Sequence, residues 1–155
     1  MPGKLAKQIQ QSKPFQSAEE EAFLNLLRTA DALLQRESEL LEGFGVTQAQ
    51  YNVLRILRGA GESGLPCGEI AGRMITRDPD ITRLADRLEK RGLTVRTREA
   101  ADRRVVTVRI TREGLQLLAA LDKPVRDFHR NNLSHLGAAN LKTLIDLLER
   151  AREKE

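Results

Sequence analysis

One cysteine, Cys67, stands in 155 residues. It has no partner for an internal disulfide, and no Cys and His pairs recur at zinc-ligand spacing, which excludes a disulfide framework and a structural zinc knuckle. A chain of this kind suits a reducing cytoplasm. Long apolar runs are lacking too. The longest stretch of strongly apolar residues is 117–121, against the ~20 that span a bilayer. The opening segment, MPGKLAKQIQQSKPF, carries lysines but no apolar core of a secretory signal. The expectation is a cytoplasmic protein without membrane association. Aromatic residues make up only 3% of the chain. Sites for single-stranded nucleic acid are built on aromatic stacking, which this composition does not favour. There is no fixed-period repeat, low-complexity tract, catalytic triad, carboxylate pair or glycine-rich phosphate loop, so neither enzymatic activity nor a cofactor is expected.

What is present is a foldable mixture, 40% hydrophobic and 31% charged, enough to bury a core in one domain with an extended dimerisation element. The net charge of +4 is unevenly placed. Between Pro66 and Arg112 twelve Lys or Arg face seven Asp or Glu, while the remainder of the chain is nearly neutral. A polyanion is the partner this field favours. Phe15, Phe23, Phe44 and Phe128 all fall outside that basic segment.

Ser17 followed by Glu20 reads as a capping box, and Glu19 to Glu21 suit the positive end of a helix dipole. The helix starts near Ala18. Its apolar positions, Phe23, Leu27, Ala30, Leu34, Leu41 and Phe44, alternate spacings of four and three except around Glu37, and its length favours a dimer seam. Gly43 and Gly45 end it. Thr47 and Gln50 then predict a second capping box, with Val46 and Tyr51 as a hydrophobic staple, and a helix to about Arg58. The GAGESGLP stretch reads as a loop, and Pro66 as the first turn of a short helix through Met74. Asp78-Pro79 predicts the start of a fourth helix to Arg91, with Ile81, Leu84, Ala85 and Leu88 inward and Asp80, Arg83, Arg87 and Lys90 outward.

After Gly92 the period becomes alternating. Leu93, Val95, Val106, Val108 and Ile110 are expected on one side of a two-stranded hairpin whose tip holds Asp102, Arg103 and Arg104. Thr111 caps a further helix carrying Leu115, Leu118, Leu121, Val125 and Phe128 on one face, kinked or broken at Pro124. Leu141, Leu144, Ile145, Leu148 and Ala151 mark a last amphipathic helix.

Two other features carry less. His129 and His135 are six apart, which does not place two ligands on one helical face even with Asp122 and Asp127 nearby, so no metal site is expected. Cys67, in a first helical turn with no neighbouring base, reads as a small buried apolar residue more readily than as a redox sensor.

Helices followed by a basic-faced helix and an arginine-tipped hairpin are the order of a winged helix-turn-helix, in which a helix reads the major groove and a ribbon tip reaches the minor groove. The run Asp102-Arg103-Arg104-Val105-Val106-Thr107-Val108-Arg109-Ile110-Thr111 resembles the D-x-R-x-x-x-V-x-L-T wing signature of the MarR (multiple antibiotic resistance regulator) family, with Ile110 for Leu. The run from Asp80 to Leu93 is similar to that family's recognition helix and following turn. The likeness extends from about Ala18 to Arg152. It implies a mainly α fold with a small β-hairpin wing. Residues 46–111 would form the winged helix-turn-helix, 17–45 and 112–155 the dimerisation helices, and 1–16 a flexible arm. By position, Thr76, Arg77, Asp80, Thr82, Arg83 and Arg87 would lie at the major groove, Arg103 or Arg104 in the minor groove, and Asp102 would pair with an arginine to hold the wing. The implied function is a homodimeric repressor on pseudo-palindromic double-stranded DNA, released by a small aromatic or anionic ligand bound between the lobes. The competing reading is a winged-helix module for protein association with a non-specific basic surface.

Overall fold

The computed structural model describes residues 3–77 and 80–153. The helix start expected at Asp78-Pro79 lies outside the described residues. The chain divides into two compact units, 1–39 and 40–155.

In the first unit, α1 (Lys4–Gln8) is built from Lys, Leu, Ala and Gln, which lose little rotamer freedom in a helix, and its Leu5 is buried. These residues lie within the segment expected as an arm over 1–16. Five residues are too few to show a period, so only helix propensity marked the segment. Helix α2 (Ala18–Glu42) begins where expected, with the amide of Glu20 donating to Ser17 Oγ at 3.1 Å. The Glu20 carboxylate accepts in turn from the amide of Gln16 at 2.6 Å, one residue earlier than a regular capping box. Phe23, Leu26, Leu27 and Leu34 along α2 are exposed.

The second unit holds one continuous core. Helix α3 (Gln48–Ala60) starts with the complete Thr47/Gln50 capping box, and Val46 and Tyr51 on either side of it are both buried. A 3-10 turn (Gly61–Ser63) leads to β1 (Leu65–Pro66), α4 (Cys67–Arg73), α5 (Ile81–Lys90), β2 (Thr94–Arg98) and β3 (Val106–Ile110). Helices α6 (Arg112–Leu133) and α7 (Ala138–Arg152) follow. Leu54 and Leu57 of α3, Ile70 of α4, Leu84 and Leu88 of α5, Val108 of β3 and Leu118 and Leu121 of α6 share the core cluster.

Among the described residues the sheet has three antiparallel strands in the order β1-β3-β2, one more than the predicted hairpin. A two-residue strand gives no alternation to read, and Pro66 is tolerated because β1 is an edge. The register also corrects the expected apolar face. Thr94 pairs with Ile110 and Arg96 with Val108, so Val95 turns to the opposite side and is exposed, while Thr94 is buried. One residue of register exchanges the two faces of a strand, and single-strand alternation could not fix it.

Of the kink or break expected at Pro124, the break does not occur, and α6 continues across it. Leu121 and Val125 on either side are buried in the core and hold the segment despite the missing amide. Its inward face is also shifted. Gly114 is buried and Leu115 exposed, because a Cβ at position 114 would stand 2.5 Å from Leu93 O. No residue of α7 is buried, and Leu144, Ile145 and Leu147 are exposed. Among the described residues no helix is long and apolar enough to cross a membrane.

Candidate nucleic-acid interface

Helix α5 turns its apolar residues inward and its basic residues outward. Ile81, Leu84, Ala85 and Leu88 are buried, and Thr82, Arg83 and Arg87 are exposed. Asp80 is the N-cap, its carboxylate accepting from the amide of Arg83 at 2.9 Å, so its part here is to fix where the helix begins. Thr76 and Arg77 are exposed in the bend before the helix. Among the described residues no carboxylate pairs with Arg77, Arg83 or Arg87. Arg73 and Lys90, by contrast, are each paired within one helical turn, to Glu69 and Asp86. The unneutralised guanidiniums are those that a phosphate or a base edge could engage without first breaking an ion pair.

The wing is held at its tip and at its base. At the tip, Asp102 Oδ1 accepts from the amide of Arg104 at 3.0 Å, and the two side chains lie 3.6 Å apart. Arg98 donates to the carbonyl of Arg103 at 2.7 Å. These bonds leave the Arg103 and Arg104 side chains exposed, with Arg104 at 95%. At the base, Arg96 sits on the core side of β2 and reaches Asp86 and Glu89 of α5, at 3.0 and 3.2 Å. On the other face Arg109 donates to Thr97 Oγ1 and to the carbonyl of Glu62, joining β3 to β2 and to the 3-10 turn.

Sequence reasoning singled out Asp102 as the wing support and missed Arg96 and Arg109. Their alternation in the strands was visible, but the groups they meet are seven or more residues away in the chain and on other elements, beyond any local spacing rule. Lys90 foremost, and then Arg96, hold the Asp86 carboxyl below its usual range; Glu89 first and Asp86 after it push the Arg96 guanidinium further up.

A cleft of about 470 Å³ opens between α4, α5 and the wing. Thr82 of α5 lines it together with Arg96, Arg98 and Arg104, so one end of the exposed helix face and the arginine tip open onto the same space. Cys67 and Pro66 form its apolar floor with Val105 and Val106. Cys67 is half-buried against the core.

Residues 46–106 match the MarR family profile. A MarR transcription factor from Planctomyces limnophilus, solved by crystallography, is 46% identical, with 87% of this chain and 98% of that one covered at a TM-score of 0.69. The chain belongs to the MarR family. The HTH-type transcriptional repressor MdtR of Bacillus subtilis is 42% identical over 54% of this chain and 55% of its own length. The PcaV transcriptional regulator of Streptomyces coelicolor, solved in complex with its natural ligand, is 28% identical, with 79% of this chain and 88% of that one covered at a TM-score of 0.69. The chain is thus a winged-helix member of a family of transcriptional regulators, mainly helical with a small antiparallel sheet.

Proposed function

We propose that this MarR-family chain is a homodimeric repressor of pseudo-palindromic double-stranded DNA, released by a small aromatic or anionic ligand. The observation that carries the DNA reading is the cleft on which Thr82, Arg98 and Arg104 meet, because it sets the exposed face of α5 and the wing tip to work on one duplex. Arg83 and Arg87, one turn apart, supply the major-groove contacts together with Thr76, Arg77 and Thr82. Arg103 and Arg104 supply the minor-groove contact, and Asp80 and Asp102 fix the two elements that carry them. Residues 46–111 act as the DNA-binding part, and the flanking 17–45 and 112–155 as the dimerisation part. The exposed apolar rows of α2 and of α7 support the dimer, since a soluble monomer seldom leaves such rows uncovered. Repression is supported by the name of MdtR, and the binding of a ligand by PcaV, solved in complex with its own.

Footprinting on duplexes from the chain's own promoter region tests this reading. The expected result is a protected two-part site, with half-sites about one helical turn apart, that random duplex does not displace at moderate salt. Arg83→Ala should lose about 1–3 kcal/mol on that site and much less on random duplex. Equal competition by random duplex would favour the association module with a merely basic surface.

A further inference from the structure

Ile75 is 81% exposed, the most exposed large apolar side chain among the described residues, ahead of Phe23 at 59%. Its neighbour Met74 packs partly against the core, so the chain turns one apolar residue in and the next one out. The backbone at this position is anchored. The Ile75 amide donates to Asn52 Oδ1 of α3 at 2.8 Å, which pins this bend to the body of the DNA-binding part.

The setting identifies the occupant. Among the described residues Ile75 is flanked by Arg73, Thr76 and Arg77, all exposed, and precedes the helix that carries Arg83 and Arg87. A protein or lipid partner selects a broad apolar patch, and here the apolar feature is a single side chain in basic surroundings. Its complement is one small apolar group surrounded by negative charge. On the base edges of a duplex, the thymine 5-methyl in the major groove is that group, with the phosphates on either side.

We propose that Ile75 is a specificity-determining residue that contacts one thymine methyl in each half-site of the operator. The proposal rests on the DNA-binding reading above. Ile75 contributes shape and apolar contact, while Arg77 and the α5 arginines contribute charge and hydrogen bonds.

The test is a thymine-to-deoxyuridine scan of the footprinted operator, which removes the methyl and keeps the base pair, read against wild type, Ile75→Val and Ile75→Ala. At one thymine per half-site, deoxyuridine should weaken wild type about fourfold, the loss of one buried methyl at ~0.8 kcal/mol with a decade at 1.4 kcal/mol. With both half-sites substituted the loss should be about fifteenfold. Ile75→Ala should bind the thymine operator more weakly, be indifferent to deoxyuridine at that position, and keep wild-type affinity for random duplex. Ile75→Val should fall between. Circular dichroism confirms that each variant is folded, as the exposed position leads one to expect. Ile75→Ala that binds as wild type, or that keeps full deoxyuridine sensitivity at every thymine, overturns the assignment while leaving the operator intact. Failure of wild type to prefer any duplex over random DNA removes the underlying reading instead, and the Ile75 contact with it.

Discussion

The Arg96 guanidinium of β2 lies 3.0 Å from the Asp86 carboxylate of α5, and 3.2 Å from Glu89 one turn later. This contact locks the base of the wing to α5. Arg96 also stands opposite Val108 in the sheet, so its aliphatic stem covers the core face where an apolar residue would otherwise be needed.

Arg96→Ala removes both the ion pairs and that cover. The carboxylates are 40% and 38% exposed, so solvent screens the charge term, and the loss of stability should be about 1–2 kcal/mol, part of it from packing. Arg96→Met should recover the packing share. Urea melts measure the total, and amide exchange should quicken in β2 more than in α6. Uniform quickening would mean that Arg96 supports the whole fold rather than the wing.

The same contact carries a pH signature. Lys90 first and Arg96 second depress the Asp86 carboxyl in the folded state, so folded Asp86 releases its proton more readily than unfolded Asp86. Its stabilising contribution is present above the ordinary carboxyl value and is lost as pH falls through the lowered folded value. Denaturant midpoints followed into acid should therefore drop less in Asp86→Asn than in wild type. Parallel curves would show that Asp86 does not couple to folding.

Much of the second unit was legible because its signals are local. The Thr47/Gln50 box, the inward set Ile81, Leu84, Ala85 and Leu88, and the cap at Thr111 each depend on residues within a turn or two of one another. What escaped depends on distant partners. The exposure of Val95 follows from pairing with β3, the edge strand Leu65–Pro66 exists only against Val108 and Thr107, and Arg96 finds its carboxylates only once β2 packs on α5. In the interface the residue types were readable from the outward face of one helix and the tip of one hairpin. That Thr82 and Arg104 line one cleft was not, since it depends on how the wing folds back toward α5.

Gly114 shows a tertiary constraint of the same kind. A Cβ there would lie 2.5 Å from Leu93 O and 2.6 Å from Ile110 Cγ1, so α6 can approach the sheet only with glycine at this position. Gly114→Ala should cost about 1–3 kcal/mol, as overpacking in a closed site does, although alanine is the better helix former. Gly59→Ala, with nothing within 4 Å of its Cβ, is the matched control and should be neutral or slightly stabilising. Thermal melts of the pair decide between clash and propensity.

The cleft offers the proposed releasing ligand a site within residues 66–106, not between the lobes as the family resemblance implies. Its volume of about 470 Å³ and its mixture of three arginines with Pro66, Val105 and Val106 suit a small aromatic carboxylate, the ring on the apolar floor and the anion among the guanidiniums. Arg98 and Arg104 cannot face such an anion and a phosphate at once, so ligand and duplex should oppose each other. Linkage makes the opposition reciprocal, and operator must weaken the ligand by the factor by which the ligand weakens operator. Salicylate is a suitable test anion, titrated calorimetrically with and without operator duplex. Cys67 gives an independent readout, because it is the chain's sole thiol and lines this cleft. Occupancy should slow its alkylation by iodoacetamide, and Arg98→Leu should abolish the protection. Equal salicylate affinity in the two states would exclude release by ligands of this class, and unprotected alkylation with binding intact would place the ligand elsewhere in the protein.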